Sequence, residues 1–178
     1  MVGRIRDFVD SRLHPLRRRR ALEALRDAHP RKVLFVCTGN ICRSPFAAAL
    51  FAKRLPDNIA GTIVTTSAGF VGPGRSSPLT ALETARDYGI DMSDHRSAAL
   101  TSENLRSADL IVVMSREQEG GVSERAPAGA RVIVLGDLDP LPIKRRTILD
   151  PWEGPRAAFD ESYARIDRCI AELVKALI

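Results

Sequence analysis

Hydrophobic and polar positions along this chain follow two periodicities. Residues 33–36 (Val-Leu-Phe-Val) and 110–114 are continuously apolar, and 131–135 is apolar after its leading arginine. Short runs of this kind predict strands buried on both faces. Residues 63–67, closed by Gly69, read as a fourth strand. Residues 44–55 open with Ser-Pro and continue into an alanine-rich stretch. They predict a helix with proline in its first turn, where no backbone donor is lost. Residues 79–88 predict another helix, with Gly89 as its cap. Residues 159–178 set Tyr163, Ile166, Ile170, Leu173, Val174 and Leu177 on one stripe, a closing amphipathic helix. At the start, Ile5, Phe8, Val9, Leu13 and Leu16 recur at helical spacing among arginines. Pro15 is expected to split this extension into two helices, the second around Leu22 and Leu25, and Pro30 to end it. Residues 72–78 are a Gly-, Pro- and Ser-rich loop. Residues 136–152 have no period and read as a long loop, a feature that tends to be functional.

Strands alternating with helices specify an α/β fold. We expect a single domain over residues 32–178, with about four parallel strands and helices on both faces, preceded by a basic helical extension over residues 1–31. Ligands of such sheets bind beyond the carboxyl ends of the strands, and Cys37 stands at that end of the first one.

Composition narrows the classes. The 178 residues are 44% hydrophobic, enough for a proper core. Three cysteines, Cys37, Cys42 and Cys169, make a poor disulfide framework and point to a reducing compartment. No apolar run is long enough to span a bilayer, and residues 1–31 lack the features of a signal peptide. A cytoplasmic protein is expected. The net charge of +5 is local: residues 1–32 hold ten Lys/Arg against four Asp/Glu, and the rest holds 17 against 18. No nucleic-acid partner is expected of the near-neutral domain. The basic extension is a candidate for contact with anionic lipid or an acidic partner.

The chemistry concentrates in Cys37-Thr38-Gly39-Asn40-Ile41-Cys42-Arg43-Ser44, between a strand and a helix. Gly39 and Asn40 are the residue types that most readily take left-handed backbone angles. A loop so wound turns its N–H groups inward as an anion nest, and the helix behind adds the positive end of its dipole. Phosphate suits that nest, and its positive field favours a thiolate at Cys37. Arg43, six residues on, can reach two phosphate oxygens with its planar guanidinium. No G-x-x-x-x-G-K-[ST] occurs, so this is not a Walker-type loop. Cys37 and Cys42 form no C-x-x-C, and His14, His29 and His95 show no ligand spacing, so neither a metal nor a cofactor is implied.

Val-Cys-Thr-Gly-Asn-Ile-Cys-Arg-Ser-Pro resembles the signature of the low-molecular-weight protein tyrosine phosphatases. The agreement continues in order along the chain: Ser67-Ala68-Gly69, Gly89-Ile90 followed by His95, Ala108-Asp109-Leu110 leading to Met114, Leu135-Gly136, and Asp150-Pro151-Trp152. It covers about residues 32–178 and leaves out the extension. The resemblance implies a phosphocysteine intermediate on Cys37. Arg43 and the N–H groups of Thr38, Gly39, Asn40, Ile41 and Cys42 would hold the phosphoryl oxygens. It also implies a hydrogen bond from Ser44 to the Cys37 sulfur, and support of Asn40 by Ser67 and His95. Asp150 would act as general acid and then base. Ile41, Phe70 and Trp152 would form the substrate cleft. The implied partner is a phosphorylated protein, for instance a tyrosine kinase.

Three departures from the family pattern concern cleft walls and supports: the loop after Gly69 is short, Ala98 stands where a basic residue is usual, and Leu50 follows Ala48-Ala49 directly. Two relatives on the same fold compete. Arsenate reductases relay a disulfide through cysteines in a middle helix, and none lies between Cys42 and Cys169. Protein-arginine phosphatases carry a small polar residue where this chain has Ile41, and a bulky apolar residue there favours the flat ring of phosphotyrosine. A non-enzymatic alternative is a redox or phospho-ligand sensor docked through the extension. Cys42 shares the loop with Cys37, so redox sensitivity through a Cys37–Cys42 disulfide is a further expectation.

Overall fold

The structure, a computed structural model, describes residues 2–178, with side chains from residue 7 onward; Ile5 of the predicted stripe therefore lies outside the described side chains. The apolar run at 33–36 becomes β1 (Lys32–Cys37). Its neighbours are β2 (Val64–Gly69) on one side and β3 (Leu110–Val113) on the other, with β4 (Arg131–Val134) beyond β3. All four strands are parallel, in the order β2-β1-β3-β4. The register pairs Cys37 with Gly69, and Phe35 with Val112.

The period-two alternation of β1 divides the core. Val33, Phe35 and Cys37 face one layer, with Leu110 and Val112 of β3 and the Met114 that follows it. Leu34 and Val36 face the other, with Ile111 and Val113. The first layer is built by α2 (Arg43–Arg54), α4 (Leu79–Asp87) and α7 (Arg156–Leu177). The second is covered by two short helices that the sequence pattern did not reveal, α5 (Ser102–Ser107) and α6 (Arg116–Ser123). A single turn, α3 (Asp57–Ala60), follows α2. Helices of six and eight residues offer too few repeats for a 3.6-residue period, and α6 contains Gly120-Gly121. Their caps carry them instead: Thr101 and Asn104 form a reciprocal capping box, and the Ser115 hydroxyl accepts from Gln118 N.

The long loop at 136–152 starts with a 3-10 turn (Leu135–Leu138) and buries Leu138, Asp139, Ile143 and Ile148. Gly136 is required there, because a Cβ would stand 2.1 Å from the Arg146 carbonyl oxygen. α7 begins three residues earlier than its apolar stripe suggests.

The expectation for Pro15 is corrected. The extension is one helix, α1 (Val2–Arg26), with Pro15 inside it. An internal proline costs a helix roughly 3 kcal/mol. Anchors on both sides of it offset that cost. His14 Nε2 bonds the Asp139 carbonyl at 2.8 Å, Arg18 pairs with Glu172 of α7, and Ala21 and Leu25 are buried in the first core layer. Among the described residues no helix is long and apolar enough to cross a membrane.

Candidate active site

The crossover from β1 to β2 passes over the α2 face, while the segment leaving β3 runs to α6 on the opposite face. The two connections diverge at the carboxyl ends of β1 and β3 and open a crevice there. Residues 37–42 fill it. Asn40 takes φ 50°, the left-handed conformation expected of the loop, whereas Gly39 does not. A different glycine is sterically demanded. A Cβ on Gly69 would lie within 2.9 Å of the Gly39 and Asn40 backbone, so the end of β2 packs directly on the loop.

The Cys37 sulfur is nearly buried and accepts two hydrogen bonds, 3.2 Å from Asn40 N and 3.1 Å from Ser44 Oγ. Ser44 is aligned by Asn40, whose Nδ2 donates to Ser44 Oγ at 2.9 Å and to Ser67 Oγ at 2.8 Å. The other side of the Asn40 amide accepts from Ala98 N at 2.8 Å. Its carbonyl lies 2.7 Å from His95 Nε2. A carbonyl can only accept, so His95 donates from Nε2. The four groups around Asn40 come from α2, β2 and the segment before α5. Ala98, where the family pattern has a basic side chain, contributes through its backbone.

Arg43, the first residue of α2, is buried. Its Nη1 donates to the Ile148 carbonyl at 3.0 Å. Its Nη2 reaches Thr38 Oγ1 at 3.3 Å and forms an ion pair with Asp150 Oδ2. The other Asp150 oxygen accepts from Trp152 N at 3.4 Å. The long loop thus returns to the phosphate-type nest and places Asp150 against it.

Cys37, Thr38, Gly39, Ile41, Cys42, Val71, Arg75, Asp150 and Trp152 line one cavity of about 250 Å³. Phe70, expected as a cleft wall, is not among them. It is partly exposed and its ring packs toward Gly121, while the next residue, Val71, turns into the cavity. Both residues lie in the bend that follows β2, and the turn of the chain there sends the valine into the cavity and the aromatic away from it.

Three contributors were not expected at the site from the sequence. Arg75 folds back over the loop and donates from Nη2 to the Gly39 and Val71 carbonyls, 3.0 Å each. Gln118 ties the end of β3 to the nest: Met114 N donates to its Oε1 at 2.9 Å and its Nε2 reaches Thr38 Oγ1 at 3.2 Å. Tyr163 of α7 supports the loop from behind. Its hydroxyl donates to the Cys42 carbonyl at 3.1 Å, and its ring stacks on Phe46 at 3.9 Å. Burial, with the nearby Cys42 and Cys37, raises the Tyr163 hydroxyl above its ordinary range, so it remains a donor. Burial, then the charges of Asp150 and Cys37, pushes the Cys42 thiol up to about 12. Cys169 is enclosed in the core and is pushed up by burial too.

The sequence profile described as Low molecular weight phosphotyrosine protein phosphatase matches residues 32–178. The chain belongs to this family. The Low molecular weight protein-tyrosine-phosphatase Ptp of Acinetobacter johnsonii is 35% identical over 147 residues, 82% of this chain and 96% of the relative. Wzb of Vibrio vulnificus, solved in complex with benzylphosphonate, superimposes with a TM-score of 0.70 at 28% identity, covering 81% of this chain and 97% of that one. The YwlE arginine phosphatase of Geobacillus stearothermophilus superimposes with a TM-score of 0.69 at 30% identity, covering 82% and 92%. The α1 helix lies outside the matched residues of the low-molecular-weight phosphatase profile.

Proposed function

We propose that this low-molecular-weight phosphatase hydrolyses phosphotyrosine in proteins, and other aryl phosphate monoesters, through Cys37. The observation that carries the reading is the Cys37 sulfur itself. It stands at the start of a loop that leads into the first turn of α2, with two donors on it and with Arg43 and Asp150 beside it.

In this reading the phosphoryl oxygens exchange places with the Asp150 carboxylate on the Arg43 guanidinium, which frees Asp150. The Cys37 sulfur attacks phosphorus, forming an S–P bond as the bond to the ester oxygen breaks. Protonated Asp150 gives its proton to that oxygen. The N–H groups of residues 38–42 and Arg43 hold the equatorial oxygens, where the transition-state charge is spread. Water then attacks phosphorus and Asp150 takes its proton. The S–P bond breaks, and the Cys37 thiolate and inorganic phosphate are released. Asn40, Ser44, Ser67 and His95 hold this arrangement in place.

Substrate preference follows from the walls. Ile41, Val71 and Trp152 offer apolar surface to a flat ring. The benzylphosphonate bound by a structural relative is a ligand of that shape. Partners are phosphorylated proteins, a tyrosine kinase among them. The three free cysteines fit a reducing, cytoplasmic setting. The likeness to an arginine phosphatase supports a second reading, phosphoarginine hydrolysis with the same nucleophile.

The test is turnover of matched phosphotyrosyl and phosphoarginyl peptides by wild type and Cys37→Ser. We expect kcat/KM to favour phosphotyrosine by about tenfold or more. Cys37→Ser should lose turnover and still bind phosphate. A reversed preference assigns the second reading, and a Cys37→Ser enzyme that turns over removes the mechanism.

A further inference from the structure

The first half of α1 is amphipathic in the inverted sense. Its polar residues are inside: Asp10 and His14 are buried against the domain. The Asp10 carboxylate accepts from Arg17 at 2.7 Å and from Arg146 N at 3.0 Å. His14 bonds the Asp139 carbonyl. Its large apolar residues are outside. Phe8 is 61% exposed, Val9 and Leu13 are each 41% exposed, and Leu16 is 37% exposed. Their spacing puts these four side chains on one face of the helix. The second half has the ordinary sense, with Ala21 and Leu25 buried. A helix that needed only to pack on its own domain gains nothing from turning four large apolar residues to water.

The charges on the same face identify what covers it. Arg17 and Arg18 are used internally, against Asp10 and Glu172. Arg12, Arg19 and Arg20 are exposed, interleaved with the apolar residues. Arg12 lies 5.3 Å from the Phe8 ring centroid. Against these three cations the outer face sets, among the described residues of the helix, one anion, Glu23, at 3.7 Å from Arg19. Apolar side chains flanked by arginines match the boundary of an anionic lipid surface, where rings and aliphatic chains enter the acyl region and guanidinium groups stay among the phosphates. The helix is also firmly attached. Asp7 pairs with Arg145, and Arg18 with Glu172, so a load on its outer face is borne by the whole domain.

We propose that the outer face of α1, with Phe8, Leu13, Leu16, Arg12, Arg19 and Arg20, docks the phosphatase on anionic membrane surfaces. The docking is peripheral: the helix lies along the interface and does not cross it. Asp7 and Asp150 border the same cleft of about 540 Å³ between α1, the long loop and α7, so the docked helix stands beside the candidate active site.

The test is co-sedimentation of the full chain with vesicles of phosphatidylcholine, with and without phosphatidylglycerol, over a range of salt. We expect binding to the anionic vesicles only, weakening as salt rises. Two exposed-residue variants separate the components. Phe8→Ser/Leu16→Ser and Arg12→Gln/Arg19→Gln/Arg20→Gln should each lower partitioning by about tenfold or more. Both should keep wild-type turnover of an aryl phosphate in the absence of vesicles, which shows that they fold. Equal binding to both vesicle types, absence of binding, or binding unchanged in either variant overturns the proposal. Sedimentation velocity without lipid gives the other decisive result. A wild-type dimer that Phe8→Ser/Leu16→Ser converts to monomer, with no vesicle binding, assigns this face to a second copy of the chain instead.

Discussion

Asn40 and Ser44 are joined by a 2.9 Å hydrogen bond from the amide of one to the hydroxyl of the other, and that hydroxyl donates in turn to the Cys37 sulfur at 3.1 Å. The amide fixes which way the hydroxyl points, because Ser44 Oγ accepts from Asn40 and so directs its own hydrogen to sulfur. A thiolate that receives this bond is a better leaving group when the S–P bond breaks.

Ser44→Ala should therefore slow breakdown of the phosphocysteine more than its formation. We expect kcat to fall by about 10² with KM falling too, and a burst of product in rapid-mixing experiments as the intermediate accumulates. If kcat and kcat/KM drop in parallel with no burst, the hydroxyl acts on the first step instead.

Asp150→Asn removes the proton donor and also the partner of Arg43. Esters with poor leaving groups, such as phenyl phosphate, should lose about 10²–10⁴ in rate. Nitrophenyl phosphate, whose leaving group departs without a proton, should lose much less. Equal losses on the two substrates would exclude Asp150 as the acid.

Asp139 ties the long loop to α7. Its fully buried carboxylate receives Arg165 at 3.0 Å and Arg168 at 2.7 Å. Burial alone would raise its pKa. The bonds from Arg168 and Leu141 N, and the Arg165 charge, outweigh that and hold the carboxyl below its usual range. A carboxylate depressed in the folded state contributes its stability in full above the unfolded value of about 3.9. The contribution is lost as pH falls from there through the folded value. Asp139→Asn should cost about 3–5 kcal/mol at neutral pH, because two guanidinium groups lose their counter-ion. Its stability should then decline less steeply in acid than that of wild type. Urea unfolding at neutral and acid pH measures both, and parallel declines would remove Asp139 as the linked group.

Cys37 and Cys42 are both free thiols of one loop, five residues apart. Peroxide converts the Cys37 thiolate to a sulfenic acid. Condensation with the Cys42 thiol then forms the disulfide and releases water. Wild type inactivated by peroxide should recover with dithiothreitol, and Cys42→Ser should recover poorly as its Cys37 proceeds to the sulfinic acid. Because the Cys42 thiol is held up to about 12, the condensation should quicken by up to about tenfold per pH unit across the alkaline range. Equal recovery of both proteins, or no bond between the two cysteines in peptide mapping, leaves Cys42 a purely structural residue.

What the sequence determined by itself is whatever its own local chemistry enforces. The apolar runs became buried strands, the proline in the first turn began a helix, and the octet from Cys37 to Ser44 joins one to the other with Asn40 in the left-handed conformation. Asp150 was legible only through the family resemblance, because an Asp before Pro is by itself a turn signal. The rest depended on contacts between residues far apart in the chain. Gln118, Arg75 and Tyr163 brace the loop from 36 to 121 residues away. Phe70 and Val71 were separated by how the bend after β2 turns one toward the cavity and the other away. The two short helices were held by caps and burial where their period was too brief to read. Pro15 is where local rule and tertiary structure conflict most openly. A proline breaks a helix that stands alone, and α1 does not stand alone: the ion pairs and buried side chains on either side of Pro15 keep it continuous, since docking on the domain offsets the one backbone bond that proline denies it.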